Sequence, residues 1–77
     1  MWREADNKLI REFRFSNFQE AFTFMTRVAF IAERLNHRPS WYNSGNYVRI
    51  ELFTYESGNT ITDNDRNFAE AVNEILK

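Results

Sequence analysis

The chain contains no cysteine, which excludes a disulfide framework and any thiolate metal site. It contains one histidine, His37. With no second imidazole at the spacing of a zinc-binding pair, no metal is expected. The two glycines, Gly45 and Gly58, stand apart, so no glycine-rich phosphate loop passes through either. No apolar run approaches the ~20 residues that cross a bilayer. Residues 1–6 carry no apolar signal segment, and a cytoplasmic protein without a membrane partner is expected. A charge excess is missing too. Ten Lys and Arg nearly balance eleven Asp and Glu, for a net charge of −1, without the basic stripe of a nucleic-acid-binding surface. Asp63, Asp65, Asn67 and Glu74 mimic a calcium-loop spacing, but Phe68 stands where that loop needs glycine. No serine lies in a nucleophile-elbow sequence.

Aromatic residues are plentiful: eight Phe, three Tyr and two Trp among 77 residues. A chain of this size forms one small domain and buries only roughly 60% of its unfolded surface. Large aromatic side chains partly offset that shortage, and self-association is the other common remedy. A dimer through sheet edges is expected, or a tetramer through helices.

Residues 8–15 alternate, with Leu9, Arg11, Phe13 and Phe15 on the more apolar side, which predicts a strand. Residues 2–5 form a short preceding strand, with a turn at Asp6-Asn7. A helix start follows. Asn17 with Glu20, or Ser16 with Gln19, has capping-box spacing. Apolar residues then recur at 18, 21, 22, 25, 28, 29, 32 and 35, with Phe24 and Ile31 widening the stripe and Phe30 on another side. Such a broad face calls for more than one packing partner, one of them another subunit.

Pro39 ends this helix near Asn36-His37. A short strand over 40–42 and a turn over 43–46 precede a strand over 47–54, whose Val48, Ile50 and Leu52 face the core. After a loop over 56–61, Thr62 caps a last helix with Asp63 and Asp65 in its first turn. Phe68, Ala69, Val72, Ile75 and Leu76 form its buried stripe. The order β-β-α-β-β-α predicts an α+β domain, a four-stranded antiparallel sheet with both helices on one face.

The run Asn36-His37-Arg38-Pro39-Ser40-Trp41 holds the only histidine and the only proline. A histidine at a helix end commonly bonds a terminal carbonyl and complements the helix dipole. With Tyr55 and Asp65, however, the run resembles the signature of the pterin-4a-carbinolamine dehydratases: His-His-Pro, an aromatic, a third His, then Asp. Residues 12–15, 22–29 and 32–37 are similar to the family's first hairpin and long helix. Asn46, Val48, Ile50, Leu52 and Thr54 fit its next strand. The family usually carries a further helix before the hairpin. This chain starts just before the hairpin, as a short form would.

The resemblance implies dehydration of 4a-hydroxytetrahydropterin to quinonoid dihydropterin, without metal or redox cofactor. It also implies roles. His37 matches the first, proton-transferring histidine. Arg38 occupies the second histidine position and Tyr55 the third, giving His37, Arg38 and Tyr55 as the catalytic set. Asn36, Glu33, Thr54 and Asp65 are implied at the pterin. Gly45 stands where an aromatic is usual. Imidazole titrates near working pH. A guanidinium does not exchange protons there, and a phenol, ordinarily near pKa 10, is a poor acid. Reduced activity is therefore expected, and the alternative is a non-catalytic pterin-binding or dimerisation module. A transcription-factor partner, known for some family members, is not expected.

Overall fold

In the computed structural model, which describes residues 1–77, chain reversals fall on residues that tolerate positive φ. Strands β1 (Arg3–Ala5) and β2 (Lys8–Arg14) are joined through Asp6 and Asn7, at φ 54° and 62°. Paired left-handed residues match the right-handed twist of a hairpin. Helix α1 (Phe18–Leu35) begins at Asn17, whose side chain accepts from the Glu20 N–H at 2.8 Å. The Glu20 carboxylate reaches back to the Ser16 N–H at 3.2 Å, so the reciprocal cap spans both residues proposed as its start.

Strands β3 (Ser40–Ser44) and β4 (Tyr47–Leu52) form a second hairpin, and α2 (Asp63–Ile75) closes the chain. The sheet is antiparallel throughout, in the order β1-β2-β4-β3. Pairing Phe13 with Val48 and Trp41 with Ile50 aligns the apolar side chains of neighbouring strands. Both helices cover the face that carries Leu9, Phe13, Val48, Ile50 and Leu52. Phe68 and Val72 of α2 are fully enclosed there. Truncating a buried Phe costs about 3–5 kcal/mol, a large share of the roughly 5–15 kcal/mol that holds a domain folded.

Three local expectations are corrected. The core line of α1 is Ala21, Phe24, Val28 and Ile31, while Phe18, Phe22, Ala29 and Leu35 are exposed. Because α1 packs on α2 as well as on β4, the helix turns its 24 and 31 positions inward. Ile10 is buried although it lies on the sheet face opposite Leu9 and Phe13, between its strand partners Arg3 and Glu51. Strand β4 ends at Leu52 rather than continuing through residue 54. Thr54 instead pairs singly with Thr60, and a 3-10 turn takes over at Tyr55–Ser57.

Candidate active site

Helix α1 stops because Asn36 adopts φ 50° and Pro39 follows. In that turn the Asn36 N–H donates to the Glu33 carbonyl at 3.3 Å, and the His37 N–H reaches the Ala32 carbonyl at 3.0 Å. The left-handed residue thus serves the free carbonyls of the last turn and directs His37 toward α2. His37 Nε2 lies 2.6 Å from Asp65 Oδ1. The imidazole is edge-on to Phe68, with centroids 6.1 Å apart. The His37 side chain is 12% exposed and that of Asp65 fully buried.

Burying a carboxylate is costly unless its oxygens are hydrogen-bonded. Here Oδ2 of Asp65 accepts from the Thr54 hydroxyl at 2.8 Å and the Thr62 N–H at 2.9 Å. The latter is the return half of a capping box, with Thr62 as N-cap and Asp65 three residues on. The end of β4, the start of α2 and the end of α1 meet on this one side chain. No buried side-chain nitrogen or oxygen anywhere in the chain lacks a partner.

In front of His37 lies a cleft of about 630 Å³. Ala32 and Glu33 line it from α1, Asn36 through Pro39 from the turn that follows, and Ser40 from the start of β3. Phe53, Tyr55 and Glu56 close the far side. Five of the seven residues singled out in the sequence share this cleft: Glu33, Asn36, His37, Arg38 and Tyr55. Thr54 and Asp65 do not line it; they are buried behind the imidazole. Tyr55 is 78% exposed, because the 3-10 turn carries it out of the sheet.

Sequence reasoning treated Thr62 only as a helix cap and passed over Phe53 and Glu56. The signal for Thr62 was its place three residues before Asp65, the spacing that puts an N3 carboxylate on an N-cap amide. No group of three or more His, Cys, Asp or Glu side chains is placed to hold a metal ion, and no helix is long and apolar enough to cross a membrane.

Residues 1–75 match the family model described as pterin 4 alpha carbinolamine dehydratase. The chain belongs to this family. It is 51% identical over 72 residues to a protein of Prochlorococcus marinus (strain MIT 9303) named "Putative pterin-4-alpha-carbinolamine dehydratase", covering 94% of this chain and 74% of that one. A relative of the same name from P. marinus subsp. pastoris is 46% identical over 76 residues, covering 99% of this chain and 78% of its own length. A crystal structure described as a transcriptional coactivator/pterin dehydratase of Brucella melitensis superposes with a TM-score of 0.92 at 36% identity, covering 99% of this chain and 82% of that one. The likeness to a pterin dehydratase-like protein described as a RuBisCO assembly factor of the alpha-carboxysome is one of fold, at TM-score 0.75, 24% identity and coverage of 92% and 83%.

Proposed function

We propose that this chain is a hydro-lyase that converts 4a-hydroxytetrahydropterin to quinonoid dihydropterin and water. The observation that carries the reading is His37, the single imidazole, standing at the inner wall of the cleft with a buried carboxylate behind it. Loss of the 4a-hydroxyl as water needs a proton on the departing oxygen and removal of one from a ring nitrogen. A neutral imidazole accepts the second and, once protonated, supplies the first. Donors on Arg38 and Tyr55, both exposed at the cleft, hold the oxygen or the pterin carbonyl. The Glu33 carboxylate can accept from the adjacent ring N–H and amino group of the pyrimidinone edge, a donor pair that suits a carboxylate. Asn36 offers a donor and an acceptor beside it.

Guanidinium and phenol exchange protons poorly near neutral pH, so His37 carries the proton transfer alone. One missing acid/base group typically lowers a rate about 10²- to 10⁴-fold, and a slow dehydratase is the expected outcome. Stopped-flow decay of synthetic 4a-hydroxytetrahydropterin tests this. Micromolar protein should accelerate the decay above the spontaneous rate, and a trace that overlays the protein-free control removes the enzymatic reading.

A second reading is favoured by the exposed flank of α1. Phe18 and Phe22 are each more than half exposed, with ring centroids 5.7 Å apart. This is the flank on which a second copy of the chain docks if the protein acts as a pterin-binding or dimerisation module. Light scattering decides it. A species of 9.3 kDa alone at micromolar concentration defeats the docking, whereas a larger species that Phe22→Glu dissociates supports it.

A further inference from the structure

We infer that the hydroxyls of Thr54 and Thr62 form a one-way hydrogen-bond relay that sets the tautomer of His37, making both threonines positioning residues for proton transfer. This rests on the dehydratase reading for its consequence, though not for its geometry.

The relay follows from counting protons. Each threonine hydroxyl has one to give. Thr54 Oγ1 lies 2.8 Å from Asp65 Oδ2 and 2.5 Å from Thr62 Oγ1. Thr62 Oγ1 lies 3.4 Å from Oδ2, at the margin of a hydrogen bond. If Thr54 gave its proton to Thr62, Asp65 would exchange the 2.8 Å contact for the 3.4 Å one. The favourable order is therefore Thr62 hydroxyl to Thr54, then Thr54 hydroxyl to Asp65. The Thr62 N–H occupies a further acceptor position on the same oxygen at 2.9 Å. With its outer oxygen filled by donors, Asp65 accepts from His37 through Oδ1 at 2.6 Å. Nε2 then carries the hydrogen, and in the neutral ring Nδ1 is the free base.

An unanchored imidazole exchanges its hydrogen between the two nitrogens, and partners beyond the reacting group decide which one holds it. Here the deciding partners come from the end of β4 and the cap of α2. Neither threonine lines the cleft. They act through Asp65 and do not touch the pterin. Thr54 is thereby moved from the substrate-binding set, where the resemblance placed it, to the support behind the base.

The relay separates kcat from KM. Thr54→Val keeps the side-chain shape and removes the donor to Asp65. Its kcat should fall roughly tenfold, the low end of the loss seen when the hydrogen-bond partner behind a metal-bound histidine is removed, with KM unchanged. Thr54→Ser should restore kcat, and Thr62→Val, one step further out, should lower it less. A Thr54→Val enzyme with raised KM and unchanged kcat overturns the relay, because that pattern marks direct substrate contact. A second readout needs neither turnover nor a variant. His37 is the only histidine, so its ring ¹⁵N signals need no assignment. At alkaline pH the wild-type chain should show hydrogen on Nε2 and a bare Nδ1. Hydrogen on Nδ1 overturns the relay even if the chain dehydrates pterins. The expected tautomer in a chain with no dehydratase activity leaves the relay standing and removes only the enzymatic reading.

Discussion

On the inner wall of the cleft His37 is held by a carboxylate that itself accepts two further hydrogen bonds at under 3 Å. On the outer wall Arg38, Glu33 and Tyr55 are exposed, and neither Arg38 nor Glu33 joins an ion pair. The first wall is a buried hydrogen-bonded set, and the second is made of exposed side chains. The physical difference lies in what a substitution costs the fold. Removing one member of a buried hydrogen-bonded set leaves its partners unsatisfied, at about 1–3 kcal/mol. Exchanging an exposed side chain away from such features typically changes stability by less than about 0.5 kcal/mol. A substitution at Arg38 or Tyr55 should therefore leave the scaffold intact. A comparable change at Asp65 would disturb both.

The largest effect should come from the inner wall. His37→Ala should lower the dehydration rate about 10²- to 10⁴-fold in stopped-flow assays, the usual loss with a general acid/base. Asp65→Asn should lower the rate as well, and should also reduce unfolding free energy in urea by about 1–3 kcal/mol. If Asp65→Asn leaves stability untouched, the two walls are not built differently. The outer wall provides the converse. Arg38→His together with Tyr55→His should raise the rate by up to about 10²-fold, since it adds proton carriers, while the melting temperature stays close to that of the parent. A large loss of stability in this double variant would erase the distinction.

The smallest effect extends the comparison to the open face of the sheet. Tyr47 donates to Glu12 Oε2 at 2.7 Å in an exposed setting. This bond, followed by that from Arg3, holds the Glu12 carboxyl below its ordinary range. The same bond raises the Tyr47 phenol above its own. A depressed carboxyl stabilises the fold above its unfolded pKa, and the benefit is lost as pH falls through the lower folded value. A raised phenol stabilises below its unfolded pKa, and that benefit is lost as pH rises through the folded value. Tyr47→Phe should therefore cost a little thermal stability between the carboxylate and phenol ranges, and nothing at pH low enough to protonate Glu12. A penalty at neutral pH as large as that of Asp65→Asn would contradict the contrast between exposed and buried pairs.

Much of the fold was legible because its signals are local. Alternation in residues 8–15 and 47–54, the cap at Asn17 and the break at Pro39 each operate within a few residues, and each signal marks an element or its end, with β2 closing at Arg14 and β4 at Leu52. The errors occur where a neighbour decides. Whether α1 buries Phe22 or Phe24 depends on where α2 lies, since both positions are apolar and border the same stripe. Whether β4 runs to residue 54 depends on Thr54 finding Thr60 and Asp65 rather than a neighbouring strand. In the cleft, Glu33, Asn36, His37 and Arg38 fall within six residues of sequence and stay together through the helix end. The relation of His37 to Asp65, 28 residues apart, was reached only through resemblance, and its form was not visible.

By itself the sequence determined that α1 ends near Asn36-His37 ahead of Pro39, leaving the only imidazole at a helix terminus. It also determined that Thr62 and Asp65 stand at capping-box spacing. Only the tertiary structure decided that Asp65 is buried against the imidazole, away from the cleft lining. The reason is desolvation: a carboxylate can be buried only where donors converge on it. The partners here are His37 after α1, Thr54 after β4 and the Thr62 cap of α2, and only the last is brought to Asp65 by a local pattern.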